Sequence, residues 1–527
     1  MNRRHFLRLA SLTTTLYLIG CRQSRLGNRK PNVLYIMSDD HAAHAISAYG
    51  SAINRTPSID RLANEGMLFK NCFCTNSICA PSRAVILTGA YSHINGQTDN
   101  AKKFDGSQIT FPKLFQQAGY ETALIGKWHL GSLPTGFDYW KILPGQGCYY
   151  NPDFIHMDGS MNRCEGYCTD LITDFTLEWL QEKRDKSKPF LLFCQHKAPH
   201  RNWSPPARYL GLHREGSIPE PKTLFDDYAT RSPAAAQSQM SILNHMSWRA
   251  DMKFQGENLF PEFFASELDP SERPRMTEQQ KQLWDSYYEP QNAAFIAQMK
   301  EGKLSPSDVA RWKYQRYMHD YLGSVAAVDE GVGRLLDYLD KTGLSENTVV
   351  IYTSDQGFFL GDHGWYDKRF MYEPSLRMPL LVRYPATVKS GSVNEDIVLN
   401  LDFASTLLDM AGIEIPPRMQ GRSFYPLLKG EKPNGWRTAM YYHYSEYPAV
   451  HQVKRHYGIR TLRYKLIHFY YDIDAWELYD LQHDPDELNN LYEHPDYESV
   501  VRSLKQQLRE LMIQYQETQF LDHLRDI

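Results

Sequence analysis

Short unbroken apolar runs that end in polar clusters set the pattern in the first part of the chain. Asn32–Met37 (NVLYIM) runs into Ser38-Asp39-Asp40-His41, as expected of a strand buried on both faces in a parallel sheet, with polar groups at its carboxyl end. Val349–Thr353 repeats the pattern and ends in Asp355. Met67–Cys74, Thr122–Ile125 and Phe190–Cys194 read as further strands. Helical stretches alternate with them. Thr56 as N-cap and Pro57 as the first helical residue open a helix that Gly66 stops. A second helix follows Pro81, Phe111–Gly119 forms a third, and Val309–Leu339 is a long helical region. This alternation predicts an α/β fold: a mostly parallel sheet sandwiched by helices, with ligands bound at the strand carboxyl ends.

From about 207 to 305 the periodicity dissolves into Pro, Met, Gln and charged residues, which predicts a large surface insertion. After about Trp436 the style changes to alternating strands, at 439–445, 457–461 and 465–470, closed by an amphipathic helix over 498–519. The expected organisation is a main domain over 31–435 and a smaller α+β subdomain with an antiparallel sheet over 436–527. Residues 1–30 read as an export signal and tether. Arg3-Arg4 precede a Thr-rich apolar stretch too short to span a bilayer, and Leu18-Ile19-Gly20-Cys21 looks like a bacterial lipoprotein box with Cys21 lipidated. An exported, periplasmic or outer-membrane-associated lipoprotein is expected.

Composition narrows the function. Lys+Arg 58 against Asp+Glu 62 gives a net charge of -4 in 527 residues, without long blocks of either sign, so nucleic-acid binding through phosphate neutralisation is not expected. Eight cysteines less Cys21 leave Cys72, Cys74, Cys79, Cys148, Cys164, Cys168 and Cys194. Seven thiols cannot all pair; Cys164 with Cys168 or Cys148 are the disulfide candidates, and Cys72 and Cys74 read as one face of a buried strand.

Asp39-Asp40 and Asp355-Gln356 would converge if their strands are neighbours, making an all-oxygen cage for a hard cation such as Ca²⁺ or Mg²⁺. Adjacent buried carboxylates repel unless a cation neutralises them. Cys79-Ala80-Pro81-Ser82-Arg83 precedes an apolar helical stretch, which puts Cys79 at a helix N-terminus, where anions are favoured.

With Thr88-Gly89, this segment resembles the Cys-x-Pro-x-Arg signature of the formylglycine-dependent sulfatases. The resemblance continues through Gly126-Lys127-Trp128-His129, Ala198-Pro199-His200, Ser354-Asp355-Gln356-Gly357 and Glu477-Leu478-Tyr479-Asp480-Leu481. It implies an alkaline-phosphatase-like fold and a separate maturation enzyme that oxidises Cys79 to formylglycine. The aldehyde hydrates, one hydroxyl attacks sulfur, and the second lets a base expel sulfate. Position by position, it implies Asp39, Asp40, Asp355 and Gln356 as calcium ligands, although many relatives carry Asn or His where this chain has Gln356. Arg83 would hold the diol, and Lys127 and His129 would bind sulfate, with His129 the base for its expulsion. His200 and Lys368 would flank the leaving oxygen, and the sequence leaves open which of them is the acid.

Further segments, including Lys197-Ala198-Pro199-His200-Arg201-Asn202-Trp203, are similar to the bacterial branch that includes N-acetylglucosamine-6-sulfatases. This implies a sulfated glycan substrate, with the 6-O-sulfate of N-acetylglucosamine as target. Candidate sugar contacts are His196, Trp203, Arg369, Tyr372, Glu373 and His451, and His196 could equally satisfy a buried hydrogen bond. The alternatives are a sulfatase for another sugar position, a phosphodiester or phosphonate hydrolase of the same superfamily, and a glycan-binding lipoprotein without activity.

Overall fold

The computed structural model describes residues 30–212, 216–255 and 272–524. The expected export segment, with Arg3, Arg4 and Cys21, lies outside the described residues. Among the described residues no helix is long and apolar enough to cross a membrane.

The main sheet has ten strands, in chain order β1 (Asn32–Ser38), β2 (Met67–Phe69), β3 (Glu121–Lys127), β4 (Tyr139–Leu143), β5 (Asp153–His156), β6 (Met161–Arg163), β7 (Phe190–Gln195), β8 (Thr348–Ser354), β9 (Leu380–Arg383) and β10 (Ser392–Asn394). They lie in the order β10-β2-β9-β8-β1-β7-β3-β4-β5-β6. The centre, β8-β1-β7-β3-β4, is parallel, and antiparallel pairings flank it. The expected Met67–Cys74 strand divides. Only β2 joins this sheet, and Cys72–Phe73 pairs with Val398–Leu399 in a small sheet of its own.

The helices that matter here are α1 (Pro57–Glu65), α2 (Cys79–Thr88), α3 (Phe111–Gln117), α4 (Cys168–Glu178), α5 (Glu278–Lys300), α6 (Pro306–Lys341), α7 (Phe403–Met410) and α8 (Glu498–Gln514). Period-two alternation sends the β1 side chains into two cores. Val33, Tyr35 and Met37 meet α2, α3 and α7 on one face, while Leu34 and Ile36 meet α1, α4 and α6 on the other. That explains the unbroken apolar run. Thr56 does precede α1, yet its hydroxyl does not cap the helix. The Asp329 carboxylate of α6 accepts the first-turn amides of Ser58 and Ile59 at 3.2 and 2.8 Å instead.

The 207–305 stretch is more than a surface insertion. Ile218, Leu224, Ile242, Trp248 and Phe254, with Phe295 of α5, build a third core against Tyr317 and Tyr321 of α6. Its elements are mostly short and bent, so the burial leaves no period in the sequence. No disulfide forms among the described residues. Cys168 is buried at the start of α4, Cys148 and Cys164 are half-buried, and all are free thiols.

Strands β11 (Ala439–Tyr444), β12 (His456–Thr461), β13 (Tyr464–Phe469) and β14 (Ala475–Asp480) form an antiparallel meander. Leu504, Leu508 and Met512 of α8 are buried against it, in a core continuous with that of the main sheet. Two residues expected to face sugar lie in this junction, Tyr372 buried and Glu373 half-buried. The Tyr372 hydroxyl donates to Glu477 at 2.8 Å. Glu373 pairs with Arg460 at 3.1 Å, Lys465 at 2.9 Å and Arg377 at 2.7 Å. Burial alone would raise the Glu373 carboxyl, but these cations outweigh it and hold the group well below the usual carboxylate range.

Removing one partner of a buried ion pair strands the other charge, at about 3–5 kcal/mol. Glu373→Ala therefore lowers the unfolding free energy by about that amount in urea denaturation, and Glu373→Gln by less. A loss below about 1 kcal/mol would contradict this junction.

Candidate active site

Strands β1 and β8 run side by side in parallel, with Ser38 opposite Ser354. The residues that follow each strand therefore emerge at the same end of the sheet. The carboxylates of Asp39, Asp40 and Asp355 offer oxygens within 4.8 Å of one another, all buried. Asp40 turns back with φ of 65°, and its amide donates to Asp355 Oδ1 at 3.2 Å. Gln356 Nε2 donates to Asp40 Oδ1, while Gln356 Oε1 is buried without a partner.

Cations surround the carboxylates. Cys79 is the first residue of α2, which starts at Cys79 rather than after Pro81 and is capped by Gly89, with φ of 59° and an amide that donates to the Val85 carbonyl at 2.8 Å. The Cys79 thiol donates to Asp39 Oδ1 at 3.4 Å. One turn later Arg83 bridges the two strand ends: Nε donates to Asp355 at 3.1 Å and a terminal nitrogen to Asp39 at 3.1 Å. Its other terminal nitrogen donates to Gln195 Oε1 and the Lys127 carbonyl, each at 3.0 Å. Lys127, the last residue of β3, pairs with Asp39 and donates to Gln146. Gly126 makes this possible. It has φ of 108°, and a Cβ there would stand 2.0 Å from the Gln195 carbonyl oxygen of β7. Lys368 Nζ lies 2.7 Å from both Asp40 oxygens.

His200 Nε2 is 3.8 Å from Asp40 Oδ2 and its side chain is 13% exposed, and it can share a ligand sphere with Asp39 and Cys79. His129 has φ of 56° and a buried Nδ1 without a partner. Burial and then the nearby Lys127 push both imidazoles well below their usual range. Burial also raises Asp40, which Lys368 pulls down and Asp39 and Asp355 push up, to about 8. Burial raises Asp39 too, but Lys127 and Arg83 outweigh it and hold it well below the carboxylate range. Asp355 is raised, by burial and then by Asp39.

Against its three cations the site thus holds three buried carboxylates and one unpartnered amide oxygen. These are hard oxygen donors, and a divalent cation fits them.

The expected sugar contacts separate into two groups. Arg369 and His451 lie beside Lys368. Arg369 pairs with Asp367 at 3.1 Å and Glu446 at 3.6 Å, and His451 Nε2 is 3.3 Å from Asp367 Oδ2. Four residues are elsewhere. Tyr372 and Glu373 belong to the junction with the C-terminal sheet. Trp203 is fully buried against Tyr317, with ring centres 4.3 Å apart. His196 is fully buried with Nε2 3.6 Å from Cys194 Sγ.

Sequence reasoning missed Gln195, Gln146 and Asp367. Gln195 carried a signal, being the polar end of a buried strand, and Asp367 adjoins Lys368. Gln146 lies in Pro144-Gly145-Gln146-Gly147, a segment that the family resemblance covers without giving the glutamine a role.

The family model described as sulfatase matches residues 31–413, and the one described as N-sulphoglucosamine sulphohydrolase, C-terminal, matches 361–514. The chain is 51% identical over 494 residues to an N-acetylglucosamine-6-O-sulfatase of Bacteroides thetaiotaomicron, covering 93% of this chain and 87% of that protein. A protein solved in complex with its substrate D-glucosamine-2-N,6-O-disulfate is similar with a TM-score of 0.88 and 50% identity, over 93% of this chain and 99% of that one. A phosphonate monoester hydrolase of Agrobacterium radiobacter, 22% identical, shares the fold with a TM-score of 0.68 over 92% and 96% of the two chains. The architecture is the alkaline-phosphatase-like one, and the chain belongs to the sulfatase family of sulfuric ester hydrolases.

Proposed function

We propose that the protein removes the 6-O-sulfate of N-acetylglucosamine in sulfated glycans, with Cys79 matured to formylglycine and calcium held by Asp39, Asp40, Asp355 and Gln356. One observation carries the reading. The Cys79 sulfur, standing where the oxygens of a hydrated aldehyde would sit, lies 3.4 Å from Asp39 Oδ1 at the N-terminus of α2, in a nest of fixed cations. Such a nest suits a charged sulfuryl group far better than a neutral ester. The 51% identity to an N-acetylglucosamine-6-O-sulfatase supports the sugar and the position.

When present, formylglycine supplies a hydroxyl nucleophile and calcium a fixed double positive charge. The chain's own residues do the rest. Arg83, locked by Asp39 and Asp355, cannot turn away from the nucleophile. Lys127 offers a fixed positive charge to the sulfate oxygens, and His129, neutral and partly exposed, can accept the proton whose loss expels sulfate. Lys368 Nζ is engaged by both Asp40 oxygens. His200 Nε2 is 3.8 Å from its nearest carboxylate oxygen, which makes it the freer proton carrier at the leaving oxygen. Export by the Arg3-Arg4 segment and a lipid tether at Cys21 complete the proposal, as does encounter with a maturation enzyme before folding buries Cys79.

Matured protein carries an aldehyde at position 79, seen as loss of the thiol sulfur in peptide mass and trapped by a hydrazide. It releases sulfate from 6-O-sulfated N-acetylglucosamine, and Cys79→Ala lowers turnover more than about a thousandfold with little change in melting temperature. Release only from other sugar positions would overturn the substrate, and full activity of Cys79→Ala the mechanism.

Metal and pH are linked through Asp40. Its folded value of about 8 lies above the unfolded value of about 4. In the metal-free protein its contribution to stability is therefore complete below about pH 4 and lost as pH rises through about 8. Calcium displaces that proton. The melting-temperature gap between calcium and EGTA widens from about pH 6 to about pH 8 and then levels. A gap independent of pH would contradict the ligand set.

A further inference from the structure

His200 is aimed by its neighbour in the chain. His200 Nδ1 lies 2.6 Å from the Arg201 carbonyl oxygen. A carbonyl only accepts, so Nδ1 carries the proton and the ring presents Nε2 to the carboxylate cluster. The same carbonyl accepts Lys197 Nζ at 3.3 Å. The Arg201 side chain in turn fixes where that carbonyl sits. Nε donates to Asp251 Oδ1 at 2.8 Å and a terminal nitrogen to Oδ2 at 2.7 Å, and the two side chains are 5% and 0% exposed. The guanidinium also lies 5.2 Å from the centre of the Tyr366 ring, two residues before Lys368.

Asp251 is itself held rigidly. Its Oδ2 accepts the Ser247 amide at 2.7 Å, and Lys253 Nζ bonds the Ala250 and Asp251 carbonyls at 3.0 Å each. Trp248, Met252 and Phe254 on either side are packed into the third core. Two parallel bonds from a buried guanidinium set a direction as well as an energy. Stability alone is a poor reason for the pair, since apolar residues of similar size often do as well.

We infer that Asp251, supplied by the insertion, is a positioning residue: through Arg201 it holds the carbonyl that aims His200 and braces Tyr366 beneath Lys368. This rests on the reading that a sulfate ester is cleaved here with His200 at the leaving oxygen. As the nucleophile's bond to sulfur forms, its hydroxyl proton passes to Asp39 Oδ1, the acceptor of the Cys79 thiol. The sulfur–oxygen bond breaks, its electron pair stays on the sugar oxygen, and that oxygen takes the Nε2 proton of the His200 imidazolium, a form that the bound anionic ester favours and whose Nδ1–H stays on the Arg201 carbonyl. An alkoxide cannot leave well without that proton, so a misdirected imidazole slows this step and leaves sulfate binding intact.

Single-turnover sulfate release from 6-O-sulfated N-acetylglucosamine by matured, calcium-loaded protein tests the inference. Asp251→Asn is expected to slow release about tenfold or more with KM changed less than about twofold, and Asp251→Glu to recover part of the loss. In a His200→Ala background the same substitution adds less than about a twofold loss, because the group it aims is gone. Should Asp251→Asn fold poorly, Arg201→Met with Asp251→Leu removes both charges and carries the same expectations at near wild-type melting temperature. Losses that multiply in the His200→Ala background, or no loss at all, would overturn the positioning role. Wild-type protein carrying the aldehyde and releasing no sulfate would defeat the functional reading, and this inference with it.

Discussion

Three carboxylates buried within 4.8 Å of one another are the constraint around which the rest of the site is arranged. Each ion removed from water costs several kcal/mol, and their mutual repulsion adds to that. Two adjacent parallel strands bring Asp39, Asp40 and Asp355 together regardless of that cost. Arg83, Lys127 and Lys368 offset part of it through direct ion pairs, and the raised value of Asp40 marks what is left over. The same charges that make the cluster tolerable also make the space above Cys79 hospitable to an anion. Stability and chemistry therefore draw on one electrostatic arrangement.

Backbone geometry gives this arrangement its precision. Asp40, His129, Asp367, Arg369 and His451 all adopt positive φ, a conformation that costs a non-glycine residue of order 1–3 kcal/mol where it is sparsely populated. It persists because the surrounding cores over-determine it. Each turn redirects a polar side chain from the end of a strand or loop toward the cluster. The insertion joins in from a distance: its own apolar core fixes the 247–254 turn, and that turn reaches the His200 loop through one buried ion pair.

What could be read from the chain follows the range of the interaction. The runs ending at Ser38 and at Ser354 announce buried strands locally, and the convergence of Asp39, Asp40, Asp355 and Gln356 needed only that those strands be neighbours. Cys79 at a helix start is likewise local. Tyr372 and Glu373 look like site residues because they follow Arg369 closely, yet their partners Glu477, Arg460 and Lys465 come from strands far along the chain. Trp203 and His196 flank His200, but the path of the backbone turns them into core layers. The insertion was opaque for a similar reason, since short bent elements bury Trp248 and Phe254 without any repeating spacing.

The most direct test is the metal itself. Elemental analysis of the purified protein after dialysis is predicted to find about one calcium per chain in the wild type and almost none in Asp355→Asn, with the variant otherwise folded. Wild-type protein free of any divalent metal yet fully active, or a variant that keeps its calcium, would contradict the account.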